Sequence, residues 1–208
     1  MWPRLFGTRR KTSPYITIVS GLPRSGTSMM MHMLEAGGME VMADHIRQPD
    51  ADNPHGYYEF EPAKRLKENA TFLDNAHGKA IKMISALLYD LPPGKTYKIL
   101  FMGRYLPEVL ASQKIMLHRH GKSGQEADDQ KMAQAFARHL AAVTAWLAEQ
   151  PHMAVLYVDY NEVLTHPVAS AQAVQHFLGN RLDVQRMAAV VDQALYRNRA
   201  APPPSRSS

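Results

Sequence analysis

The chain of 208 residues has no cysteine, which excludes disulfides and thiolate metal sites and suits a cytoplasmic setting. It also lacks any apolar run that approaches the ~20 residues of a membrane span. The N-terminus, Met1 to Pro14, is basic, but the next apolar run is a short strand, so no signal peptide is read there. Internal repeats and domain linkers are missing too. Basic residues are scattered apart from Arg9-Arg10-Lys11, and no basic–aromatic module accompanies them. The net charge of +5 therefore points to an anionic ligand and not to nucleic acid. With 45% apolar residues, the chain is expected to form one soluble globular domain with a sizeable core.

What is present is organised around Tyr15–Ala36. Tyr15 to Val19 is a β-rich apolar run. Gly21-Leu22-Pro23-Arg24-Ser25-Gly26 breaks it, and from Thr27 the pattern is helical, with Met29, Met30, Met33 and Leu34 on one side. Strand, glycine loop and helix make a phosphate cradle, since loop N–H groups and the helix N-terminus point at an anion. The spacing of Gly21 and Gly26 fits the first half of G-x-x-x-x-G-K-[ST]. Thr27 and Ser28 stand where that pattern has Lys and Ser or Thr, and the nearest positive charge is Arg24.

Further strands are read at Met39–Met42, Ala80–Ile84, Tyr97–Met102 and Met153–Val158. Helices are read from Pro62 to Leu73, Pro107 to His118, through Met132–Leu147, from Pro167 to Leu178 and from Asp183 to Leu195. The polar stretches Ala43–Tyr57 and Gly121–Asp129 are read as long loops. The alternation predicts a three-layer α/β/α fold with a mostly parallel sheet. Ligands bind such sheets beyond the C-terminal strand edge, where the Gly21–Gly26 loop, Lys82 to Ser85 and Arg104 all fall.

Arg104 sits at a strand exit, and Ser112 lies more than a turn into the next helix, between Val109 and Met116 on its inward face. A buried hydroxyl there needs a partner, either the Glu108 carbonyl or a ligand. His118 and His120 point away from each other on a helix and are read as surface residues, not as metal ligands.

Pro23-Arg24-Ser25-Gly26-Thr27-Ser28 resembles the 5′-phosphosulfate loop of the sulfotransferases, P-[KR]-[ST]-G-T-[TS]. That family transfers a sulfuryl group from 3′-phosphoadenosine 5′-phosphosulfate (PAPS) to a hydroxyl or amine, on a fold related to P-loop nucleotide kinases. Arg104 and Ser112 match the family's Arg and Ser, eight positions apart, that hold the 3′-phosphate. Tyr160-Asn161-Glu162-Val163 is similar to the Y-E-D-[LM] segment whose Tyr contacts adenine, and Phe177-Leu178-Gly179 to a recurrent F-L-G. The resemblance spans roughly residues 15 to 180.

Two departures shape what the resemblance implies. Met29 stands where the aryl and steroid branch has an adenine-stacking aromatic. Lys82-Met83-Ile84 keeps the Lys of K-T-H but not its catalytic His. Other branches use a Glu base, and N-P-x-G-Y-[YFW]-E recurs in bacterial members, which makes Glu59 the expected base, with Glu61, Asp44 and His45 as alternatives. Sulfuryl transfer needs positioning and charge stabilisation more than covalent catalysis. Arg24, Ser25, Gly26, Thr27 and Ser28 are expected to hold the 5′ end, Lys82 to neutralise the leaving phosphate, and Arg104, Ser112 and Tyr160 to hold the adenosine 3′-phosphate end. No metal is required in this scheme, and Asp159 is only a late imitation of a metal-binding Walker B residue. Arg197 and Arg199 lack the family's R-K-G pattern and read as a solvated helix end.

The expected domain covers residues 15–199, between a basic tail, 1–14, and a disordered Pro/Ser-rich tail, 200–208. A P-loop kinase or NTPase and a non-catalytic nucleotide-binding relative are the competing readings. Lipid, carbohydrate, peptide and small aromatic acceptors all fit the sequence.

Overall fold

A computed structural model describes residues 15–192, apart from 45, 51–52, 54–55, 120–125 and 180. Five strands form one sheet in the order β2-β3-β1-β4-β5. They are β1 (Ile16–Gly21), β2 (Glu40–Met42), β3 (Lys79–Lys82), β4 (Tyr97–Gly103) and β5 (Met153–Asp159). All four strand pairs are parallel, so every crossover must return over a sheet face.

Strand periodicity sends alternate residues to opposite faces, and both faces are apolar, as expected of a parallel sheet covered on each side. Ile16 and Ile18 of β1, Ile81 of β3, and Tyr97, Ile99 and Phe101 of β4 pack with Val143 and Leu147. These last two come from α4 (Glu126–Ala148), and Ala63 of the short α2 (Glu61–Lys64) joins the same cluster. On the other face, Val19, Ala80, Leu100 and Met102 pack against α1 (Thr27–Ala36), α5 (Tyr160–Thr165), α6 (Pro167–Leu178) and α7 (Val184–Ala189). The inward positions of α1 are Met30, Met31, Met33 and Leu34, all buried. α3 (Leu106–Arg119) follows β4 and lies against α4. Among the described residues, no helix is long and apolar enough to cross a membrane.

Five elements differ from the sequence reading. The helix expected over 183–195 ends at Ala189, and α5 was not foreseen. The helix expected over 62–73 stops at Lys64 and resumes only as a 3-10 turn, Thr71–Asn75. The Asn69 carboxamide accepts from the Thr71 N–H at 3.0 Å and its hydroxyl at 2.7 Å, offering the backbone a local turn in place of the helix. A second 3-10 turn, Ser85–Asp90, was not foreseen. The expected loop 121–129 ends early, because α4 already starts at Glu126. The 1–14 and 200–208 tails lie outside the described residues, as do His45, His120, Arg197 and Arg199.

Candidate active site

The loop between β1 and α1 is built by close packing. A Cβ on Gly21 would lie 2.5 Å from both the Met102 carbonyl oxygen and Ser25 Oγ, so no larger residue fits beside β4. Ser25 is buried, and its hydroxyl donates to the Leu22 carbonyl at 2.7 Å, closing the turn from inside. This side chain shapes the loop and does not line the cavity in front of it. Arg24 is left-handed at φ 68°, strained for a residue with a side chain. Gly26 begins α1 at φ 95°, and a Cβ there would sit 2.4 Å from the Tyr160 ring. Only glycine lets the start of α5 pack so close to the loop.

The strained turn aims Arg24 at α3. Its Nε donates to Ser112 Oγ at 2.9 Å. Ser112 is buried, and the hydroxyl that could have bonded back along its own helix instead receives the loop arginine. From the end of β4, Arg104 donates to the Arg24 carbonyl at 3.2 Å and to Glu108 Oε2 at 3.0 Å. Its guanidinium carbon lies 4.4 Å from the Tyr160 ring centroid. Burial pushes the Tyr160 hydroxyl up, with the nearby Arg104 charge pulling the other way. Arg24, Arg104, Ser112 and Tyr160 thus form one part-buried cluster around the loop.

On the other side, Lys82 leaves the end of β3 and donates to the Tyr57 carbonyl and to Ser28 Oγ, the latter at 3.3 Å. Burial pushes Lys82 down to about 8; the Glu59 charge opposes this, while Arg47, Lys64 and Arg24 add to it. Glu59 is held by Arg47 at 3.1 Å and by Lys64 at 2.8 Å. Burial pushes its carboxyl up, but the bonds to Lys64 and Arg47 outweigh this and hold it below the usual range. The Arg47 guanidinium also lies 3.3 Å over the Tyr57 ring. Burial and the bond to Asp50 push the Tyr57 hydroxyl up to about 12.

These groups line one cavity of about 710 Å³, whose walls include Arg24, Gly26, Thr27, Ser28, Met29, Glu59, Lys82, Arg104, Ser112 and Tyr160. Glu59 reaches it, whereas Asp44 and Glu61 do not. Asp44 accepts from the backbone N–H groups of Glu61 at 2.6 Å and Ile46 at 3.1 Å, pinning the segment before α2. Glu61 pairs with Lys64 at 2.5 Å. Asp159 caps α5, accepting from the N–H groups of Asn161 at 2.8 Å and Glu162 at 3.0 Å. His118 is exposed.

Sequence reasoning missed Arg47, Lys64 and His32, which also line the cavity. His32 carried a signal, since it follows Ser28 by one helical turn on α1. Arg47 carried none, because it reaches Glu59 across irregular backbone.

A family profile described as "Sulfotransferase domain" matches residues 15–207. No curated protein sequence gives a significant match. Among solved structures, mouse sulfotransferase SULT7A1 complexed with PAP aligns at a TM-score of 0.57 and 16% identity, over 90% of this chain and 68% of that one. A sulfotransferase domain from the curacin biosynthetic pathway aligns at 0.53 and 13% identity, over 92% and 94%. A sulfotransferase from Alicyclobacillus acidocaldarius aligns at 0.52 and 14%, over 88% and 99%. At such identities the structural likeness is one of fold.

Proposed function

The chain belongs to the sulfotransferase family, and from that premise we propose that it moves a sulfuryl group from PAPS to a hydroxyl, or an amine, of an acceptor. The observation that carries this is the bond from Arg24 to Ser112, with Arg104 held on the Arg24 carbonyl. It makes one anion site of the two motifs, suited to a ligand phosphorylated at both 3′ and 5′ positions.

The donor set suits such a ligand. A glycine-shaped loop, a helix N-terminus and three cavity-lining cations, Arg24, Lys82 and Arg104, face the same space. When bound, PAPS supplies a sulfuryl group already joined to a good phosphate leaving group. Arg24 and the loop N–H groups hold the 5′ end, and the Thr27 and Ser28 hydroxyls add donors there. Lys82, beside Ser28, places positive charge where the leaving phosphate gains negative charge. Ser112 and Arg104 bind the 3′-phosphate. Tyr160, packed between Gly26 and Arg104, fixes the guanidinium and offers its ring to the adenosine.

Glu59 receives the acceptor's hydroxyl proton. It lines the cavity where Asp44 and Glu61 do not. To do so it gives up a bond to Arg47 or Lys64 as the acceptor enters, which couples acceptor binding to activation of the base.

Thermal stabilisation tests the donor. 3′,5′-Adenosine bisphosphate at a hundredfold excess over its Kd should add about 2.7 kcal/mol. A larger shift with ATP and Mg²⁺ would favour a P-loop kinase or NTPase. Stabilisation by the bisphosphate with no transfer from PAPS to any acceptor class would favour a non-catalytic relative.

A further inference from the structure

Two adjacent tyrosines, Tyr57 and Tyr58, are both buried, and their side chains are anchored in different parts of the molecule. Tyr57 lines the cavity, where its ring lies under Arg47 and its hydroxyl donates to the Asp50 carboxylate at 2.7 Å. Tyr58 belongs to the core cluster that includes the buried face of α1, and its hydroxyl donates to Glu35 Oε2 at 2.6 Å. Its ring also stacks with that of His32, with 6.5 Å between centroids. The peptide between the two tyrosines is thereby held from both ends.

Tyr58 is also left-handed, at φ 51°, which is strained for a residue with a Cβ. Rotation about that bond sets the plane of the preceding peptide, so the strained angle decides where the Tyr57 carbonyl points. It points at the end of β3, where the Lys82 ammonium donates to it. The Ser28 hydroxyl closes a triangle, accepting from Lys82 and donating to the same carbonyl, each at 3.3 Å. An ammonium has three N–H groups. The protein fixes two of them and leaves the third for the cavity that Lys82 lines. Resting on the sulfuryl-transfer reading of the same cavity, we propose that Tyr58 and Glu35 are positioning residues, which turn the Tyr57 carbonyl onto Lys82 and so aim its ammonium at the leaving phosphate. Neither residue lines the cavity, so each acts only through Lys82.

A carbonyl bonded to an ammonium favours the charged form, so releasing the carbonyl should make Lys82 lose its proton at lower pH. Glu59, Arg47, Lys64 and Arg24 face the same ammonium and are unchanged in the variants that test this. The Lys82 Cε resonance of the free, 13C-lysine-labelled protein, assigned by its loss in Lys82→Met, reads the titration directly. Its midpoint should fall by about one pH unit in Tyr58→Phe and in Glu35→Ala, the worth of one hydrogen bond to a charged group. Glu35→Gln removes the charge but keeps an acceptor for the tyrosine, so its midpoint should match that of the unaltered protein. Glu35 is exposed on α1, and its variants read the same bond should Tyr58→Phe disturb the core. At pH 7, calorimetric titration should show 3′,5′-adenosine bisphosphate weakened by about threefold in Tyr58→Phe and Glu35→Ala but not in Glu35→Gln. Equal midpoints in all these proteins would overturn the proposal. A fall in Glu35→Gln as large as in Glu35→Ala would overturn it too, by making the effect one of charge and not of the bond. Midpoints that fall as expected in a protein that binds no bisphosphate would overturn the sulfuryl-transfer reading alone.

Discussion

Arg24 Nε donates to Ser112 Oγ at 2.9 Å, joining the loop after β1 to α3 across 88 positions of sequence. The two ends of the proposed donor site are therefore mechanically one. The family resemblance implies a 5′-end role for Arg24 and a 3′-end role for Ser112. In the structure the arginine also sets where the serine hydroxyl stands.

Their effects on binding should not add. Ser112→Ala should weaken 3′,5′-adenosine bisphosphate by about tenfold, one hydrogen bond to a charged group, and hardly change adenosine 5′-monophosphate. Arg24→Ala should weaken both ligands. The double variant should lose less than the product of the single losses, with a coupling of about 0.5–3 kcal/mol. Calorimetric titration of both ligands against the three variants measures it, and strictly multiplicative losses would mean that the bond does not organise the site.

Arg104 has a structural debt that separates its two roles. Its side chain and that of Glu108 are only 7% and 2% exposed, so removing the arginine takes a close counter-charge from a buried carboxylate. Arg104→Ala should cost about 3–5 kcal/mol of stability and erase the preference for bisphosphate over monophosphate. Arg104→Gln combined with Glu108→Gln should recover much of the stability without the preference. Urea unfolding with ligand titration reads both. Recovery of the preference along with the stability would leave the arginine a packing role only.

Why the loop and the Arg104–Ser112 pair were legible while the base environment was not follows from local physics. β1, the glycine turn and α1 are contiguous, and each is written in its own period or turn residue. Arg104 and Ser112 keep a fixed spacing across a strand end and a helix, so their placement follows once those elements are read. Glu59 depends on Arg47, which comes from a segment with no periodicity to position it, and on Lys64 of a helix only four residues long. The motif favoured Glu59 in sequence and left Asp44 and Glu61 as alternatives, which their own backbone and side-chain partners set apart from it. Helix propensity overestimated the stretch to Leu73, where the Asn69 side chain competes locally with the backbone.

Gly26 should be intolerant of even a methyl group. Gly26→Ala meets the Tyr160 ring and forces a left-handed φ on a residue with Cβ. It should lose about 1–3 kcal/mol of stability and much of its bisphosphate affinity. Adding Tyr160→Ala relieves the contact but not the φ, so affinity should stay low. Full recovery in that pair would show that the ring, and not the loop backbone, sets the constraint.

Glu59→Gln should cut turnover by about a hundredfold with any acceptor that supports transfer, while bisphosphate binding stays near normal. Burial works against the Glu59 charge, and the bonds to Lys64 and Arg47 more than offset it. A carboxyl held below its ordinary value stabilises the fold above that value, and the contribution is lost as pH falls through the lowered one. Arg47→Ala should raise the Glu59 pKa, so resistance to acid unfolding falls and the acid limb of the rate profile moves to higher pH. Lys64 and Lys82 also face the carboxylate and keep part of the effect. An acid limb that stays in place in Arg47→Ala would assign the base elsewhere.

Lys82 supplies the opposite sign. Burial is the main cause that brings it from the ordinary 10.5 to about 8, so the unfolded chain binds more protons than the folded one between those values. Stability of the free protein should therefore rise with pH across that window, and Lys82→Met should flatten the rise. A bound phosphate changes the balance, because an anion beside Nζ favours the charged lysine. Binding of 3′,5′-adenosine bisphosphate at pH 9 should draw close to one proton from solution, and at pH 7 almost none, since the lysine is already charged there. Titration calorimetry in two buffers of different ionisation enthalpy counts those protons. Lys82→Met should abolish the uptake at pH 9 and weaken binding by roughly tenfold at pH 7, where the lost interaction is a full charge. Equal uptake in the variant and the unaltered protein would place the titrating group, and with it the positive charge at the leaving phosphate, somewhere other than the end of β3.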